Sequence, residues 1–119
     1  MSRVGLSLAA LVVIAAPAYA QDPVKVAPKI YTVVLQNADV RVLRAVLNPG
    51  DKTAMHEHPA TVVIPQTTGT GRFTGADGKT QDVTMTAGTP LYMPSGKHAV
   101  ENMSKARTEV LVIELKGKK

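Results

Sequence analysis

The 119-residue sequence predicts an all-β domain folded as a small jelly-roll β-barrel. Three observations carry that prediction. Short runs rich in β-branched residues are separated by Gly, Pro, Asn and Asp at the spacing of a sandwich or barrel. Nowhere does an apolar period of 3.6 persist for three turns, so helices are nearly absent. Two runs, Thr61–Ile64 and Val110–Ile113, are apolar at successive positions, as expected of strands covered on both faces.

The first segment reads as an address. Met1–Arg3 is a short basic start, and Val4–Ala16 is an apolar run broken only by Gly5 and Ser7. Pro17-Ala18-Tyr19-Ala20 then supplies a helix breaker and an A-x-A site. This predicts a secretory signal peptide over residues 1–20, cut after Ala20. The apolar run falls short of the roughly 18–20 residues that span a bilayer. The chain has no Cys, which excludes lipidation through an acylated Cys, a disulfide scaffold and covalent thiol chemistry. The expected product is exported, periplasmic or extracellular, and leaves the membrane after cleavage. Fifteen of the first 20 residues are apolar against 38 of the remaining 99, so the mature core is lean for its size. A closed β structure, a second subunit or a metal would compensate.

Gln21–Lys29 carries two prolines and reads as an extended arm. Ile30–Gln36 and Val40–Leu47 follow as strands around the turn Asn37-Ala38-Asp39. Further strands are expected at Thr53–His58, Thr61–Pro65, Thr70–Thr74, Gln81–Thr86, Thr89–Met93, His98–Asn102 and Glu109–Leu115. Asn48–Asp51, Thr67–Gly69, Ala76–Lys79, Ala87-Gly88 and Pro94–Gly96 are the turns between them. One domain therefore spans residues 30–115, and 116–119 is a basic tail. Lys and Arg outnumber Asp and Glu by 14 to 9. With no Arg-rich stripe and no aromatic platform, that excess does not predict a nucleic-acid partner.

The chain has three His, two of them in His56-Glu57-His58. Strand alternation sends His56 and His58 to one face and Glu57 to the other. His98 opens another expected strand after a Pro-x-Gly turn. An HxH pair alone is a weak signal, but its surroundings strengthen it. Gly50-Asp-Lys-Thr-Ala-Met-His56-Glu-His58 fits G-x5-H-x-H, and Gly69 fits the closing glycine of the same motif. Gly88-Thr-Pro-Leu-Tyr-Met-Pro94-Ser-Gly96 fits G-x5-P-x-G, and His98-Ala-Val-Glu-Asn102 fits an H-x3-N end.

In these motifs the chain resembles the small single-domain cupins of the jelly-roll superfamily. The resemblance implies a β-barrel with a divalent transition metal held inside by His56, His58 and His98. Imidazole ligands alone do not choose among Fe, Cu, Zn, Ni and Mn. The sequence departs from the family in two places. The Glu that supplies a fourth ligand is replaced by Val62, with Val63 one further on. Gly96-Lys97-His98 also has one residue between Gly and His where the family usually has two. Three neutral imidazoles leave a divalent ion its full charge and open positions for water or substrate, which favours an anionic or oxygenated small molecule. The arrangement resembles the three-His iron sites of thiol dioxygenases and of some diketone-cleaving cupins, which implies dioxygenase-like oxidation. A non-catalytic periplasmic module that binds a metal or small ligand is the alternative. A sugar isomerase or epimerase is a further one, weakened by the absent Glu. The resemblance also implies a homodimer.

Around the three His, Val62, Gln66, Arg72, Phe73 and Tyr92 are the candidate pocket residues. Val62 stands at the missing ligand position, and Gln66 shares its parity as a hydrogen-bonding group. Phe73 and Tyr92 would line the pocket, and Arg72 at its mouth would receive a carboxylate. Met55, Met85, Met93 and Met103 are too dispersed for a thioether copper site and read as core filling.

Overall fold

The computed structural model describes residues 21–117. The expected signal peptide and the last two residues of the basic tail lie outside the described residues. A single helical turn, α1 (Pro23–Val26), precedes nine strands: β1 (Tyr31–Gln36), β2 (Val40–Leu47), β3 (His56–His58), β4 (Thr61–Pro65), β5 (Gly69–Gly75), β6 (Thr80–Met85), β7 (Leu91–Met93), β8 (Gly96–Asn102) and β9 (Thr108–Leu115). They form two antiparallel sheets, ordered β1-β2-β9-β4-β7 and β3-β8-β5-β6. The all-β jelly roll expected from the sequence is thus a double sheet enclosing one core.

Each expected strand has a counterpart, with ends shifted by a few residues. Thr53–His58 shortens to β3, leaving Lys52 with an isolated bridge to Glu101. The arm differs in kind: it is not extended. Asp22 caps α1, its Oδ1 accepting the Val24 N–H at 2.9 Å, and Pro23 occupies the first helical position. Asp followed by Pro is a favoured helix start, because the side chain satisfies an orphan N–H and the ring presets φ. Pro23 is fully buried, so the turn is pinned to the domain.

The core lies between the sheets, built from Leu43, Ala45 and Leu47 of β2, Val63 of β4 and Val112 of β9, with Tyr31 and Ala27 at one end. Alternate residues on these strands point inward, as the pleat requires. The motif glycines have backbone reasons. Gly50 and Gly88 turn the chain at φ +79°, where a side chain is strained, and a Cβ on Gly69 would lie 2.7 Å from both Ser104 and Thr108. Asn102, at the end of the second motif, is buried and staples three segments. Its amide donates to the carbonyls of Leu47 (3.0 Å) and Ala106 (2.9 Å), and its oxygen accepts the Ser104 N–H (2.8 Å).

Candidate metal centre

β3 and β8 are neighbours, and their register sets His56 directly opposite His98. His58 lies two residues along β3 on the same face, while Glu57 points outward opposite Lys97. One ring nitrogen from each His lies within 4.8 Å of the other two. Ring centroids are 4.8 Å apart for His56 with either partner and 5.1 Å for His58 with His98. The shorter Gly-to-His spacing of the second motif therefore still delivers His98 to the cluster.

The protonation pattern suits ligation. The Nδ1 of His56 faces the carbonyl of Ala54 at 2.8 Å, and a carbonyl only accepts, so Nδ1 carries the proton and Nε2 the lone pair. That lone pair accepts the hydroxyl hydrogen of Tyr31 at 3.1 Å, a bond an incoming ion would displace. The Nδ1 of His58 faces Glu114 at 2.8 Å, and its proton goes to the carboxylate by the same logic. Burial, reinforced by the neighbouring His56 and His58, pushes His98 down to about 3. Burial lowers His56 as well, against the opposing hydrogen bond to Ala54. At neutral pH His56 and His98 are therefore uncharged bases, the form that binds metals.

Glu114 and Tyr31 are the residues that sequence reasoning missed. Glu114 is 3% exposed on β9, and its second oxygen accepts from Arg41 on β2. Arg41 in turn reaches Asp22 at 2.7 Å, so a partly buried chain of polar contacts links the cap of α1 to His58. Burial alone would raise the Glu114 carboxyl, but hydrogen bonds from His58 and Arg41 outweigh it and hold it below the ordinary carboxylate value. A metal-binding imidazole whose other nitrogen donates to a carboxylate is fixed in tautomer and orientation. Tyr31 is buried at the start of β1, edge-on to His56 and His58, and burial and then Glu114 raise its hydroxyl well above the usual phenol range.

A cavity of about 70 Å³ runs from His58 and His98 into the core. Of the candidate pocket residues, Phe73 lines it and stands edge-on to His98 at 5.3 Å. The other four face elsewhere. Val62 pairs with Tyr92 and Ile113 on the outer side of the five-stranded sheet, and Tyr92 is 66% exposed. Gln66 is exposed and donates to the carbonyl of Ile64. Arg72 forms a two-pronged pair with Asp82 (2.8 and 3.1 Å) on the outward face of β5. Val62 and Gln66, on β4 and just after it, share one cause. Pro59-Ala60 carries the chain from one sheet to the other and resets the alternation, so Thr61 and Val63 face inward in place of Val62.

Residues 43–114 match the family model of the cupin domain. The chain belongs to the cupins. A cupin domain from Bordetella pertussis Tohama I is 32% identical, covering 74% of this chain and 93% of its own, with a TM-score of 0.69. A conserved protein with a double-stranded β-helix domain from Klebsiella pneumoniae is 22% identical over 75% of this chain and 77% of its own, at a TM-score of 0.61. A cupin-family protein from Methanocaldococcus jannaschii is 17% identical over 72% and 78%, at 0.59. The last two attest the fold alone. No curated protein matches this cupin in sequence.

The outward position of Val62 yields a prediction. Val62→Glu leaves the affinity of this cupin for a divalent ion within about twofold of wild type, because alternation keeps the carboxylate on the outer face. Competitive titration against a chelating dye measures it, and a tenfold tightening would place Val62 beside the ion.

Proposed function

We propose that this cupin is an exported protein that holds a divalent transition metal through His56, His58 and His98 and carries out dioxygenase-like oxidation of a small anionic or oxygenated molecule. The observation that carries the reading is the convergence of three imidazoles beside a cavity. Bound there, the ion would supply Lewis acidity and a redox centre. The chain's own residues have definable parts: Glu114 and the Ala54 carbonyl orient His58 and His56, and Phe73 and Val63 keep water from the cavity wall. The small, largely aliphatic cavity speaks against a sugar substrate.

The same reading includes a homodimer. Its support is an apolar row, Leu35, Val42, Ile113, Val62 and Tyr92, which crosses all five strands on the outer face of the larger sheet. Leu35 is 52% and Tyr92 66% exposed at its two ends. Such a face is the kind a second subunit covers.

The test has two readouts. Elemental analysis of protein from its native compartment should find stoichiometric metal, which replacement of all three His by Ala abolishes. Unchanged metal content in that variant would overturn the site. Protein loaded with Fe(II) or Cu(II) should then consume oxygen with a member of a panel of small anions. Tight metal retention without uptake across the panel would instead make this cupin a metal- or ligand-binding module.

A further inference from the structure

We infer that the cavity selects a short monoanion: one metal-directed anionic head on an uncharged aliphatic tail of about three carbons. The inference rests on the metal reading for the head and on the cavity walls for the tail. Beyond His58 and His98 the walls include Val63, Val100, Val112, Phe73 and Met85, and the polar side chains among them, such as Thr61, Thr70 and Asn102, are uncharged. Neither Lys nor Arg is among the residues that line it. Arg41 is already held by Glu114 and Asp22, and Arg72 is committed to Asp82 outside. Glu101 borders the cavity, but it is in register with Arg72, so its carboxylate shares the outward face of the sheet. A second carboxylate or a phosphate on the ligand would therefore enter the cavity as an unpaired charge, which burial penalises heavily.

Size sets the tail length. A cavity of this measure holds roughly one water-sized group per 10–15 Å³, so its volume of about 70 Å³ takes about five to seven non-hydrogen atoms. Butanoate has six such atoms. Succinate has the same four carbons with a second carboxylate where butanoate has a methyl group, and 4-methylpentanoate, with the eight non-hydrogen atoms of succinate but one charge, separates charge from size and is expected to bind more tightly than succinate.

The experiment uses the mature protein loaded with Co(II), whose visible spectrum reports a new ligand at the ion. Butanoate is expected to bind at least tenfold more tightly than succinate. In Met85→Lys, a substitution on a half-buried wall residue of edge strand β6, the ammonium gives a second carboxylate a partner and the preference narrows or reverses. In the metal-free protein, 1-butanol should shift the methyl resonances of Val63, Val100 and Val112, and succinate should not. Wild-type binding of succinate as tight as butanoate overturns the inference, as do valine methyls unmoved by 1-butanol. Failure of Co(II) to bind overturns the metal reading alone, and the 1-butanol measurement still decides the nature of the cavity.

Discussion

Glu114→Ala is expected to destabilise the metal-free protein by about 3 kcal/mol and to weaken divalent-ion binding about 10- to 100-fold. Both effects follow from its two partners. The carboxylate is 3% exposed, with one oxygen on the Nδ1 of His58 and the other on Arg41. Its removal strands a guanidinium whose side chain is 16% exposed and leaves the His58 N–H without its acceptor. Breaking a buried pair usually costs about 3–5 kcal/mol, and Arg41 keeps Asp22, so the lower end applies. Glu114→Gln should fall between, because an amide offers one acceptor oxygen where the site needs two. The double replacement Arg41→Met with Glu114→Met separates packing from positioning. An apolar pair of similar volume recovers most of the stability. The metal affinity stays low, since nothing then orients His58. Urea unfolding and competitive zinc titration read the two quantities, and a loss under about 1 kcal/mol in Glu114→Ala would show that the pair contributes little.

How these residues could be read in the sequence differs from one to the next. The three His were legible because motif and alternation agree: His56 and His58 share a strand face, and the Pro-x-Gly turn sets the start of the strand bearing His98. Glu114 left a fainter trace. It has the parity of Val110 and Val112, so an inward carboxylate was there to be seen, but a charged residue near a strand end ordinarily reads as solvated. Its partner Arg41 lies 73 residues earlier, and only the β2–β9 pairing sets the two opposite each other. No local rule finds such a pair. Val62 failed for a related reason: alternation holds within a strand and is lost where Pro59-Ala60 carries the chain to the other sheet. Tyr31 was passed over because the edge strand it opens is otherwise exposed. The arm misled through its prolines, whose effect depended on Asp22 standing before the first of them.

Acid should unfold the metal-free protein earlier than its carboxylates require. Burial, with help from His56 and His58, holds His98 at about 3 in the folded chain, whereas an unfolded His titrates near 6.5. Between those values the unfolded chain binds a proton that the folded chain refuses, so stability rises with pH across the window. The contribution of His98 is fully present above about pH 6.5 and is lost as pH falls toward about 3. His56, also lowered by burial, adds in the same direction. Glu114 is held below the ordinary carboxylate value, so its own contribution is lost only at lower pH. Each imidazole inside its window costs about 1.4 kcal/mol per pH unit. From about pH 6.5 to 4.5, His98 alone therefore removes about 2 to 3 kcal/mol, a large share of the stability of so small a domain. Urea midpoints measured through this range should fall steadily, and His98→Leu should flatten the slope by one group's worth. Saturating Zn²⁺ should raise the midpoint near neutral pH and lose that gain in acid, since ions and protons compete for the same lone pairs. A midpoint level from about pH 7 to 4.5 would mean that these imidazoles reach solvent and are not held neutral by the fold.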